Sequence, residues 1–181
     1  MNTQPTATVS QAFIDEARQF LVDQYFPKIE RCLEQLNDEQ IWWRGSEQSN
    51  SIGNLLLHLS GNARQWIVSG LGGAVDNRER QTEFDERELI PRAKLLEKLK
   101  QTLVDVDAVL TSFDQEKLLT KYPIQGNTVT ALEAIFHVTE HFSMHTGQII
   151  LLTKMLTQKD LGFYDFSSGS PMHTWQSAGT E

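Results

Sequence analysis

The sequence predicts an all-α fold, a four-helix bundle with one long crossover between helices 2 and 3. Three observations predict it: apolar residues recur at three- and four-residue steps in four separate stretches, glycine and proline cluster between those stretches, and the segment joining the second to the third is long and charged. The first stripe runs from about Val9 to Leu36 through Phe13, Ala17, Phe20, Leu21, Tyr25, Ile29, Cys32 and Leu33. Pro27 lies inside it and removes a backbone donor, which predicts a bend or break near Asp23 to Phe26. Ile41 to Asn50 is polar and contains Gly45, a connection that ends on Asn50 or Ser51 as the N-cap of helix 2. Helix 2 carries Ile52, Leu55, Leu56, Leu59, Ala63, Trp66 and Ile67, and stops at Gly70, Gly72 and Gly73.

Ala74 to Leu89 holds nine charged residues and one large aromatic, Phe84, the profile of a solvated surface crossover. A connection of that length lets helices 2 and 3 run parallel. Pro91 is placed to open helix 3, whose stripe is Leu95, Leu96, Leu99, Leu103, Val106, Val109 and Leu110, ending near Phe113. Lys121 to Val129, with Pro123, Gly126 and Asn127, reads as a loop. Thr130 and Glu133 then form a capping box for helix 4, from about Thr130 to Leu156. Gly162 to Glu181 is rich in Ser and Gly but carries Phe163, Tyr164, Phe166 and Trp175, a tail expected to pack back as a cover. The expectation is a single domain, 1–181, with its core at about 9–157 and an extension over 158–181.

With 181 residues, 39% apolar types and 22% charged ones, the composition is that of a globular protein. The formal charge of −8, with no run of lysine or arginine, argues against a nucleic-acid partner. Cys32 is the single cysteine, so no internal disulfide can form. The opening MNTQPTATVSQ lacks the basic start and apolar run of a secretory signal, which makes the cytoplasm the expected location. Purely apolar runs reach four residues at most, far short of the ~20 that a membrane-spanning helix needs.

The chemistry is concentrated in histidine. His137, His141 and His145 stand four apart in HVTEHFSMH, so they fall within a sector of roughly 80° on helix 4. Ala134, Val138, Gln148 and Leu152 share that face, which turns the imidazoles toward the bundle interior. Two imidazoles one turn apart can hold one zinc-type ion, and a third ligand must come from a facing helix. His58, on the flank of the helix 2 stripe, is the candidate there. The competing account is plain packing, each ring hydrogen-bonded in the core. His137 is assigned a supporting role with Gln148, Asn62 and Tyr164, while His173 in the tail is either a fourth ligand or an exposed loop residue.

Other site patterns fit less well. Neither His137 nor His141 is followed by Glu, so the HExxH signature is absent. Glu133 and Glu140 are followed three residues later by Phe136 and Ser143, which disfavours a carboxylate-bridged metal pair. Cys32 falls on an apolar stripe and reads as a structural thiol. SGLGG does not follow a strand and is no phosphate loop, and Trp42 and Trp43 read as packing residues.

NSIGNLLLHLSGNARQWI, followed some eighty residues later by HVTEHFSMHTGQIILL, resembles the DinB-like family of four-helix bundles, and the match covers most of the chain. SGLGG and KDLGFYDF resemble an uncharacterised bacterial branch of that superfamily. The resemblance implies a bundle, often a homodimer, with a divalent metal (zinc, nickel or iron) on one histidine of the second helix and an HxxxH pair of the fourth. Those positions are His58, His141 and His145. Some relatives are thiol-dependent S-transferases or isomerases using bacillithiol, mycothiol or glutathione, which implies a small-molecule substrate and a low-molecular-weight thiol. Two functions therefore compete: a metal-dependent hydrolase or thiol S-transferase, and a non-catalytic stress-response or interaction protein stapled by its ion.

Overall fold

A computed structural model describes residues 8–175, and in it the four stripes become four rods. Rod 1 is α1 (Val9–Gln19), a π-helical stretch (Phe20–Tyr25) and α2 (Phe26–Glu34). The disturbance expected around Asp23 to Phe26 is this π stretch, in which the Phe26 N–H donates to the Leu21 carbonyl five residues back. Pro27 follows at once, so its missing donor falls where the ladder is already re-spaced. The polar connection holds α3 (Asp38–Ile41), started by an Asn37/Gln40 capping box.

Rod 2 is α4 (Ile52–Ala63) and a second π stretch (Arg64–Ser69). Ser51, of the two candidates, is the cap, and it pairs reciprocally with Asn54. Rod 3 is α6 (Arg92–Ser112), entered through Pro91. Rod 4 is α7 (Ala131–Thr157), begun by the Thr130/Glu133 capping box. Arg18 meets Asp107 and Arg92 meets the Leu33 and Leu36 carbonyls, so rods 1 and 3 are antiparallel. Asn62 meets His137 and His58 meets His141, which makes rods 2 and 4 antiparallel as well. Arg64 bonds Asp105, and Gly72 sits farther along against Val109, so rods 2 and 3 run parallel. That is the topology a long 2-to-3 crossover allows.

Three connections depart from the sequence reading. The crossover is not wholly a solvated surface strap: it contains α5 (Arg80–Asp85), and the Glu83 side chain is buried against rod 2. Lys121 to Val129 is not an open loop but a hairpin of β1 (Lys121–Ile124) and β2 (Asn127–Thr130). Gln125 and Gly126 both take positive φ, 51° and 76°, the paired left-handed turn whose twist matches two antiparallel strands. Each strand is too short to show alternation, and Pro123 masks the first. The tail folds into a second small hairpin, β3 (Tyr164–Asp165) with β4 (Met172–His173). Arg31 ties it to rod 1 by donating to the Gly162 and Thr174 carbonyls. The opening read against a secretory signal and the end of the tail expected to pack back lie in part outside the described residues, over 1–7 and 176–181. Among the described residues, no helix is long and apolar enough to cross a membrane.

Candidate metal centre

Rods 2 and 4 bring His58, His141 and His145 together. One ring nitrogen from each lies within 4.8 Å of the others, and the His58 and His141 Nε2 atoms are 2.9 Å apart. A tetrahedral ion with bonds of about 2.0–2.1 Å sets its nitrogens roughly 3.3 Å apart, so small ring rotations accommodate one. Two of the three remaining nitrogens are engaged: His145 Nδ1 is 2.7 Å from Gln148 Oε1, and His58 Nδ1 is 2.8 Å from Glu83 Oε2 and 3.1 Å from Arg78 Nη2. The Gln148 and Glu83 oxygens are acceptors, which favours the proton on Nδ1 and an inward Nε2 lone pair, while at His58 the Arg78 guanidinium shares the same carboxylate. Three imidazoles, two held in the ligating tautomer, permit a divalent ion and leave a fourth position open.

The histidine column is not uniformly inward. Steps of four drift by 40° per turn, so the column crosses from the rim of the buried face into it: His137 and His141 are half-buried and His145 is buried. The face is centred instead on Ala134, Ile135, Val138, Phe142 and Ile149.

The sequence reading missed the acid behind His58. Glu83 reaches from α5 to His58 Nδ1, and Arg78 grips the same carboxylate with Nε to Oε1 at 2.7 Å and Nη2 to Oε2 at 2.8 Å. Side-chain exposure is 6% for Arg78 and 10% for Glu83, so this is a buried pair. Gly61 makes room for it, since a Cβ there would stand 1.9 Å from Glu83 Oε1. Asn54 donates to the Glu83 carbonyl, and Arg44 joins Asn54 to the Glu86 carbonyl, locking α5 onto rod 2. Phe84 covers the His58 ring at 4.6 Å between centroids. A glycine inside a helical stripe is the signal that something approaches closely.

Burial pushes His141 down to about 3, helped by the neighbouring rings of His145 and His58. Burial also lowers His145 and His137. For Glu83, burial alone acts upward, but the hydrogen bonds from Arg78 and His58 outweigh it and hold the carboxylate below its ordinary value. Burial thus favours the neutral form of His141 and His145, the state in which nitrogen donates to a cation, and Glu83 stands as an anion behind His58.

His137 lies one turn from His141 and stacks on it, tilted against Trp66, with Nε2 3.1 Å from Asn62 Nδ2. Tyr164 is elsewhere, in the C-terminal hairpin beside Trp175, and nothing brings it to the triad. His173 is exposed and stacked on Trp175, outside the cluster. Cys32 is fully buried, and burial pushes its thiol up to about 11, against a nucleophilic role. Trp42 packs on Gly53, whereas Trp43 is exposed. A cavity of about 450 Å³ opens between rod 2, the crossover and rod 3, on Arg78, Glu83, Arg64 and Lys98. A smaller one of about 240 Å³ is lined by Asn50, Leu55, Gln148, Leu151 and Leu152.

Residues 8–169 match a family described as "Protein of unknown function (DUF1572)". No curated protein matches the chain. Among solved structures, the conserved protein of locus from Enterococcus faecalis is similar at a TM-score of 0.70 and 16% identity, covering 85% of this chain and 100% of that one. A DinB-like protein from Bacillus cereus ATCC 10987 is similar at a TM-score of 0.58 and 16% identity, covering 76% and 90%. At such identities the likeness is one of fold.

Proposed function

The chain belongs to the DUF1572 family, within the DinB-like superfamily, and from that premise we propose that it is a metal-dependent hydrolase or thiol S-transferase acting on a small molecule. One observation carries this reading: three ring nitrogens from two rods within 4.8 Å of one another, with His58 and His145 oriented by Glu83 and Gln148. His58, His141 and His145 hold a divalent zinc, nickel or iron ion, which supplies a Lewis acid able to lower the pKa of a coordinated water or thiol. The protein's own part is to keep His141 and His145 neutral by burial, to orient His58 and His145 through Glu83 and Gln148, and to shield the site beneath Phe84.

The alternative, a staple without chemistry, calls for a closed four-ligand site. Among the described residues no fourth side chain joins the cluster, and His173 is turned away, which favours an open position. The protein acts in the cytoplasm as a homodimer, and the exposed apolar residues Phe136, Met144, Leu151 and Met155 of α7 offer the surface for a second copy.

Elemental analysis of freshly purified protein is expected to find close to one divalent ion per chain, and His141→Ala to lose it. Incubation of the loaded protein with low-molecular-weight thiols and an electrophile, and separately with ester and amide substrates, then tests the reaction. No metal-dependent turnover in any of them would leave the staple as the better account.

A further inference from the structure

The layer next to the triad holds a polar atom with no partner. Asn62 is 3% exposed, yet among the described residues its Oδ1 accepts no hydrogen bond. Its Nδ2 is engaged by His137 Nε2 at 3.1 Å, and Trp66 presses on that ring with centroids 4.1 Å apart. The amide is therefore held through its nitrogen, while its oxygen is buried without a partner among the described residues. Leaving a buried carbonyl unsatisfied is costly, so the position calls for a donor that arrives from elsewhere.

Register says where that donor comes from. Asn62 is four residues after His58 on rod 2, and His137 is four residues before His141 on the antiparallel rod 4. Both steps lead toward the same end of the bundle, so Asn62 and His137 form the polar layer one turn from the ion-binding layer. One turn is about 5.4 Å, roughly the span of a chelated N–H group plus an N–H···O bond of about 2.9 Å.

Building on the metal-centre reading, we propose that Asn62, steadied by His137, is a recognition point for amide-type ligands: molecules that place an oxygen on the ion and present the adjoining N–H to Asn62 Oδ1. Carboxylates of the same size offer the ion an oxygen but nothing to Asn62. Tertiary amides offer the oxygen and no donor. The centre thereby selects primary and secondary amides, ureas and hydroxamates over both.

The test uses the full chain loaded with cobalt(II), whose visible absorption reports ligands on the ion. Acetohydroxamate carries the N–H, and N-methylacetohydroxamate does not. The wild-type protein is expected to bind the first about tenfold more tightly, the worth of one hydrogen bond to a buried acceptor. Asn62→Leu fills the space and Asn62→Ser leaves it open; each is expected to erase the ratio through loss of acetohydroxamate affinity, with helicity checked by circular dichroism. His137→Gln, which keeps a side chain able to hold Nδ2, is expected to retain most of it. Equal affinities in the wild type, or a ratio that survives in whichever Asn62 variant folds, would mean that a trapped water or simple bulk explains the layer, and would overturn the proposal. A preference for the methylated probe would show the amide turned the other way and overturn it too. Failure to take up cobalt at all strikes instead at the metal reading on which this one stands.

Discussion

A proton on His141 is a poison for the folded chain. The ring takes one near 3 in place of the ordinary 6.5, because burial and its imidazole neighbours oppose the charge. Between those values the unfolded state binds more protons than the folded one, so stability rises with pH and is lost as pH falls from about 6.5 toward 3. Each excluded proton is worth up to about 1.4 kcal/mol per pH unit. The metal-free protein should thus show a melting temperature that drops on going from pH 7.5 to pH 5, and His141→Gln should flatten that drop, as differential scanning calorimetry would reveal. A melting curve with the same pH slope in both proteins would contradict the burial argument. Bound metal should be released over the same acidic range, followed by absorbance of a cobalt-loaded sample.

At the scale of elements, the crossover is the part whose role depends on tertiary structure. Glu83→Gln keeps the shape of the side chain but removes the charge behind His58, and outer partners of metal-bound histidine typically contribute 10- to 100-fold in affinity. A chelator-competition titration should record a loss of about that size, and an unchanged constant would mean that α5 merely covers the site. Gly61→Ala touches no ligand, yet its methyl group collides with the Glu83 carboxylate and should produce a comparable loss together with faster proteolysis between residues 74 and 89. At the start of α7, Thr130→Ala removes one arm of the capping box and should cost about 1 kcal/mol in urea denaturation. The caps and the four rods were readable because Ser51, Pro91 and Thr130 act through local rules. Glu83 and Arg78 were not, because within a run of nine charges a buried pair looks like its solvated neighbours. Only the notch at Gly61, formed when the crossover docks, sets them apart.

For the molecule as a whole, His58 was singled out as the one histidine on another core helix, and the antiparallel rods bring it level with the HxxxH pair once the stripes face one core. Period alone misjudged how deep each ring sits, because it assumes a straight column where the helix makes the column drift. Tyr164 was misjudged because the path of a Ser- and Gly-rich tail is set by Arg31 and Trp175 at long range. The proposed dimer has its own check: Leu151→Glu places a charge in the exposed apolar face of α7 and should convert the species seen by light scattering to a monomer with its metal content intact. A monomeric wild type would remove that surface from consideration.

The wide stretch at Phe20–Tyr25 is the place where rod 1 can lose a residue without changing its face. A π turn is an ordinary helix that carries one surplus residue. Deleting a single codon there would turn the bond from Phe26 to Leu21 into an ordinary four-residue step and leave the turns on either side in phase. Ile14 and Ala17 would then stay on the same face as Phe26, Ile29 and Leu33. Losing one amino acid here should consequently be far less damaging than losing one within α2, where regular winding would swing everything upstream by about 100°.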